Sequence, residues 1–154
     1  MLYPVAGCRF FIADAPVPSW AGDSVPAAAW VEIDGVEAFG LLGSEWQVET
    51  ADVMNGCGPD DGPGEIAAKG AERRPEIPLI LGNNPTDPGQ ALIWEASRSR
   101  DAYPFRILFP DGVTWRSWYA LVVRIGEVFD TANSVIRLQA DLKPVSPITR
   151  SEAP

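Results

Sequence analysis

The chain has 154 residues, a net charge of −9 and no histidine, which sets its class before any motif is read. That length suits one domain with its own core, spanning 1–154. A 46% hydrophobic share with six tryptophans argues against disorder. The acidic balance argues against a nucleic-acid-binding patch, and the missing histidine removes the commonest general base and zinc ligand.

At the N-terminus, MLYPVAGCRFFIADAP lacks a basic start followed by a long apolar core. We therefore expect no signal peptide, and a soluble chain made in the cytoplasm. No apolar run approaches the roughly 20 residues that a membrane helix needs. Residues 7–13 suggest a short strand with Phe10 and Ile12 opposite Arg9 and Phe11. The Pro-rich connection 14–29 cannot stay regular for long.

WVEIDGVEAFGLLGSEWQVET (30–50) reads as two strands with a bend near Gly40–Gly43. Trp30, Val31 and Ile33 belong to one strand, expected to be the partner of the other. Trp46, Val48 and Thr50 alternate with Glu45, Gln47 and Glu49 in the other, which gives it one acidic wet face. Residues 51–74 carry five glycines, two prolines and several charges with no sustained period. They are expected to form a long loop, either a surface loop or an arm that orders against a neighbouring subunit.

Beyond the loop, RPEIPLIL (74–81) suggests a strand whose prolines favour an edge position. The one convincing helix runs over about 87–99. Asp87 suits the N-cap, Pro88 the first helical position, and Gln90 stands where a capping box needs it. Leu92, Ile93 and Ala96 supply its apolar stripe.

Pro104 to Pro144 reads as three consecutive antiparallel strands. Asp111-Gly112 between two apolar runs predicts a type I′ hairpin turn. Phe105, Ile107 and Phe109 alternate before it. After it, Val113, Trp115, Tyr119, Leu121, Val123 and Ile125 share one face, although Trp118, Ala120 and Val122 make the middle of the other face apolar too. In the last strand Ile136, Leu138, Ala140 and Leu142 alternate with Arg137, Gln139, Asp141 and Lys143, so one sheet face meets water. The predicted core is Trp46, Val48, Trp115, Tyr119, Leu121, Ile136 and Leu138. The tail after Pro144 is too short and Pro-rich for a further domain.

No catalytic constellation is present, and an enzyme is not expected. Cys8 and Cys57 have no metal spacing and suit ordinary thiols, although the sequence leaves a bridge between them open. Asp60-Asp61 matches no calcium loop. No metal and no cofactor are expected.

FRILFPDG, the long strand ending WYALVVRI and the closing VIRLQADLKPVSPI together resemble the C-terminal half of the major tail (tail tube) proteins of long-tailed phages. The strands of 30–50, the long loop and the single helix extend the resemblance over most of the chain. The resemblance implies a mainly β fold, an antiparallel β-sandwich or barrel with one flanking helix. It further implies hexameric rings stacked into a virion tail tube that conducts DNA without binding it, with no membrane association. The partners it implies are further copies of the chain, a tape measure protein, a tail terminator and distal tail or baseplate proteins.

Within that reading, Asn55, Gly56, Asp60, Asp61, Glu65, Lys69 and Arg73 are ring-stacking candidates. Glu45, Gln47, Glu49, Arg137, Gln139 and Asp141 are candidates for the lumen, with a net −2 from this set. Two alternatives stay open. One is a soluble β-barrel binding module of carbohydrate or adhesin type, which an exposed concave tryptophan cluster would favour. The other is a tube subunit of a contractile injection or secretion system.

Overall fold

The computed structural model describes residues 2–16, 30–53, 64–146 and 148–152. The strands are β1 (Arg9–Ala13), β2 (Trp30–Ile33), β3 (Val36–Phe39), β4 (Glu45–Val53), β5 (Gly64–Arg73) and β6 (Ile77–Gly82). The helix α1 (Pro88–Arg98) follows, and then β7 (Tyr103–Leu108), β8 (Thr114–Val128), β9 (Arg137–Pro144) and β10 (Thr149–Glu152). The chain divides into two units, Met1–Leu42 with Glu76–Pro154, and Gly43–Pro75.

The larger unit is an eight-stranded antiparallel sheet in the order β2-β1-β7-β8-β9-β6-β3, with β10 added to β8. Its two end strands are consecutive in the chain and separated only by Asp34 and Gly35. So short a link holds the two ends of the sheet together at one corner, and the sheet must roll. Phe10 of β1 meets Phe39 of β3 at 4.8 Å between ring centres, a contact across the roll. Phe105 and Trp118 stack at 6.1 Å inside it. Gly35 has φ +79, a conformation that costs glycine nothing, and its carbonyl accepts from Gly82 N–H at 2.7 Å.

Helix α1 begins at the expected cap, with the Asp87 carboxylate accepting from Gln90 N–H at 3.0 Å. Gln90 does not close a capping box. It is buried, its Nε2 donates to the carbonyls of Asp34 and Gly82, and its Oε1 accepts from Asn84 N–H. One side chain thus pins the helix to both ends of the rolled sheet. At Gly89 a Cβ would sit 2.3 Å from the Glu32 carbonyl oxygen, so only glycine permits the approach to β2. Ile93 and Ala96 enter the core, and Leu92 packs at its margin.

The three C-terminal strands pair in series, β7 with β8 and β8 with β9. The turn between the first two differs from expectation. Only Gly112 has positive φ, and Phe109 and Thr114 close a four-residue loop through Phe109 N–H to the Thr114 carbonyl. Asp111 folds back on that loop and accepts from Val113 N–H, Thr114 N–H and the Thr114 hydroxyl. This local bonding competes with a type I′ turn.

On β8 the core face is Trp118, Ala120 and Val122. Trp115 and Leu121 lie half-buried on the reverse, and Tyr119 is buried there apart from the core cluster. Both faces are apolar at mid-strand, so alternation cannot choose between them. A bulge after Val122 then turns Ile125 toward the core, where the original register would have aimed Arg124. Leu138 is fully buried, whereas Ile136 stands just before β9 begins and is exposed.

β6 is an interior strand, not an edge. Its ladder with β3 covers only Leu79 to Leu81, which leaves Pro78 outside that pairing, where it needs no N–H. The tail adds β10 beside the first half of β8, where β9 has ended. Ser146 fills the junction, its hydroxyl accepting from Tyr119 N–H at 2.8 Å.

The smaller unit is a β4–β5 hairpin sheet of two strands. Two expectations fail here. Residues 51–53 and 64–73 are strand rather than loop, because Ile66, Ala67 and Ala68 find ladder partners in Ala51, Thr50 and Glu49. Nor does β4 pair with β2, which pairs with β1. Trp46 is 47% and Val48 61% exposed, so neither belongs to the core of the described chain.

Candidate functional site: assembly surfaces

Among the described residues no group of three or more His, Cys, Asp or Glu side chains could hold a metal. No described helix is long and apolar enough to cross a membrane. Cys8 is a half-buried free thiol whose pKa is raised by burial. Cys57, Asn55, Gly56, Asp60 and Asp61 lie outside the described residues. The features that remain are surfaces, and three are chemically distinct.

The first is the hairpin. Alternation along β4 and the ladder with β5 put Glu45, Gln47 and Glu49 on one face, and Trp46, Val48 and Thr50 on the other. Lys69 stands over the Trp46 ring at 5.3 Å, and Val48 is its ladder partner. Glu65 pairs in register with Asp52, and Arg73 with Glu45. A bulge opposite Trp46–Val48 sets the twist, and Gly70 there approaches the Gln47 carbonyl too closely for a larger residue to fit freely.

The second surface is the solvent face of β9. Arg137, Gln139 and Asp141 alternate with the buried Leu138, Ala140 and Leu142. Arg137 donates from Nε to Glu37 at 2.7 Å, an exposed ion pair worth little to stability but able to fix a side chain. Asp141 lies opposite Arg124 in the ladder. With Lys143, this face carries three cations against two carboxylates. The structure therefore places the six lumen candidates on two separate sheets, and the anionic excess expected for the set comes only from Glu45 and Glu49.

The third surface was not anticipated. On the reverse of β1, β7 and β8, the Arg106 guanidinium lies 4.2 Å from the Trp115 ring centre and 4.8 Å from that of Trp30. Its Nε donates to the Ser117 hydroxyl, and desolvation lowers its pKa. Phe11 meets Trp115 at 5.5 Å, and Arg9 stands over Phe11 while donating twice to Glu32. An arginine inside the otherwise apolar run of β7 was the available signal, since a cation there needs aromatic faces to stack on. Trp30 and Trp115 are thus occupied by an arginine, and Trp118 is buried. The described tryptophans form no exposed concave cluster of the kind a sugar-binding module would use.

A rolled antiparallel sheet pinned by one helix, with a long hairpin as a second unit, is a tail-tube-like fold. No family model matches the chain, and no curated protein does. Among solved structures, the SPP1 phage tail tube is similar with a TM-score of 0.62 and 11% identity, over 98% of this chain and 80% of that one. A chain of the extracellular contractile injection system PVC, from its sheath–tube complex in the extended state, is similar with a TM-score of 0.63 and 13% identity, over 99% of this chain and 93% of that one. A chain of the PVC sheath/tube terminator gives a TM-score of 0.63 at 14% identity, over 98% and 97%. Identities this low establish the fold alone.

Proposed function

We propose that this chain is the self-assembling subunit of a phage tail tube, closing into hexameric rings that stack around a lumen through which DNA passes. The observation that carries the reading is the likeness to tube structures over nearly the whole of this chain. The architecture supports it physically. An exposed hairpin bearing Trp46, Val48 and Ile66 is suited to bind copies of itself. Head-to-tail contacts that close give cyclic symmetry, and a ring repeats each weak contact.

In this reading the β4–β5 hairpin is the arm between rings, with Glu65, Lys69 and Arg73 on its second strand and Asn55, Gly56, Asp60 and Asp61 between its strands. The bore is lined by Glu45, Gln47 and Glu49 together with Arg137, Gln139 and Asp141, the hairpin carboxylates supplying the repulsion that keeps DNA from sticking. A tape measure protein, a terminator and baseplate proteins are the partners at the ends, and the virion is its destination. The likeness to PVC chains supports a second reading, a tube subunit of an injection system, in which the same rings pass a different cargo.

Negative-stain microscopy of the purified chain at high concentration is the direct test, with rings and tubes expected. Deleting residues 45–73 across a short linker should leave the body folded, because no residue of its core cluster lies in that span. The same deletion should abolish tubes. A body that still polymerises at the normal concentration would remove the hairpin from this role, and a wild-type chain that stays monomeric would remove the tube reading itself.

A further inference from the structure

Two arginines lie side by side on the reverse of β1 and β7, and both are seated on aromatic rings. Arg9 stands over Phe11 at 5.2 Å, and its guanidinium donates to both oxygens of Glu32, at 3.0 and 2.7 Å. A ring under the plane and a carboxylate at the edge satisfy both recognition surfaces of a guanidinium. Arg106 is seated in the same way, between Trp115 and Trp30. Its Nε is fixed by Ser117, but among the described residues no carboxylate pairs with its two terminal nitrogens.

That arrangement is half of an ion pair. Arginine does not shed its proton, so a guanidinium drawn partly out of water keeps its charge and its need for an anion. Burial lowers the Arg106 pKa, the direction expected when desolvation is not offset by a neighbouring carboxylate. The opposite imbalance stands on the hairpin. Asp52 lies directly opposite Glu65, and the described ladders hold no other pair of facing carboxylates. Like charges so placed repel across a Cβ spacing of about 5 Å. Lys69, a cation of the same face, stands over Trp46 instead.

We propose that Arg106 is a carboxylate-binding site between copies, its terminal nitrogens taking the Asp52–Glu65 pair of a neighbouring copy's hairpin. Charge favours this occupant, because β4 and β5 carry five carboxylates against two cations. The surroundings match as well. Trp46, Val48 and Thr50 share the face of Asp52, and half-buried Phe11, Trp30 and Trp115 surround Arg106, so apolar surface flanks the charges on both partners. Tryptophan and arginine gathered in one water-poor patch are the composition of binding hot spots. The opposite hairpin face, with Glu45 and Glu49, stays free for the bore. The contact is heterologous and is repeated by every subunit of a ring, so many modest ion pairs sum to a firm joint. The proposal rests on the tube reading and names the receptor of its arm.

The test uses separately purified rings of two full-length variants, Arg106→Gln, and Asp52→Asn with Glu65→Gln. Each removes one side of the ion pair and should raise the concentration needed for stacking by roughly tenfold or more, as loss of a charged hydrogen bond does. Where wild type forms long tubes, both should therefore remain single rings. Mixed in equal amounts, they should form two-ring stacks and nothing longer, because one keeps its carboxylates and the other its arginine. Asp52 and Glu65 are exposed, so their variant should keep the wild-type thermal midpoint, and it carries the test if Arg106→Gln unsettles the tryptophans. Long tubes from the hairpin variant would overturn the Asp52–Glu65 pair as the occupant, and long tubes from Arg106→Gln would overturn the site. A mixture that stays as single rings would overturn the pairing while leaving ring formation intact. A wild-type chain that forms no rings at all would remove the tube reading, and this contact with it.

Discussion

The rolled body and the β4–β5 hairpin are built from the same alternating antiparallel strands, yet they treat their apolar side chains in opposite ways. In the body, Leu138, Ala140 and Leu142 of β9 face Leu79 and Leu81 of β6 and reach near-zero exposure, because the sheet curls round and supplies a second layer. In the hairpin, Trp46 and Val48 alternate just as regularly, and they remain exposed, as does Ile66 on the opposite face. Alternation reports that a strand has two unlike faces. It does not report what covers either face. A two-stranded sheet is marginal by itself, so a hairpin with an exposed tryptophan is suited to gain its order from a partner.

The sharpest way to break this comparison is to truncate one tryptophan from each region. Trp118→Ala removes a fully buried ring that touches Phe39 and Phe105, and should cost about 3–5 kcal/mol in denaturant unfolding. Trp46→Ala should leave the unfolding midpoint close to wild type and reduce assembly instead. Equal losses in the two variants would mean that the hairpin shares the stability of the body.

Gln90→Leu should come next. It leaves the Asn84 N–H and the Asp34 and Gly82 carbonyls without their partner, at about 1–3 kcal/mol for a buried group left unpaired. Protection of Gly82 and Asn84 against hydrogen exchange should fall first, because the corner of the roll opens there. Unchanged exchange at that corner would show that the two-residue link alone holds the sheet closed.

Asp111→Asn probes the turn, and its effect depends on pH. Hydrogen bonds from the Thr114 and Val113 N–H groups and the Thr114 hydroxyl lower the Asp111 pKa from 3.8 to about 2. A depressed carboxyl stabilises the fold above its unfolded value and loses that contribution as pH falls through the folded one. The gap in thermal midpoint between wild type and variant should therefore be full above about pH 4 and close as pH drops toward 2. A gap independent of pH would mean that the charge of Asp111 contributes nothing.

The smallest effect on stability is expected from Glu45→Lys with Glu49→Lys, both exposed on the hairpin. Midpoints should not move, but if these residues face the bore, assembled particles should deliver DNA more slowly, and added salt should relieve the defect by screening. Normal delivery would separate these two residues from the bore.

Much of the fold was legible in the chain. Asp87-Pro88 marked the helix start because a cap and a fixed φ act locally, and Arg137 to Leu142 showed a clean wet face because every second residue there is charged or amide-bearing. The strand faces of β8 were not legible, since Trp115 and Trp118 are equally apolar, and only the pairing of Phe105 with Trp118 decides which ring is inside. The glycines of 51–74 hid β5, because a glycine-rich strand lacks the β-branched pattern and takes its ladder from a partner. The stack of Arg106 between Trp30 and Trp115 joins residues far apart in sequence, as does the bonding of Gln90 to Asp34 and Gly82. Local chemistry therefore determined the caps, the turn-forming residues and the strand periods. Which strands became neighbours, which faces were covered, and how a short Asp-Gly link rolled the sheet were decided by tertiary structure, because burial belongs to the assembled layers and not to any one segment.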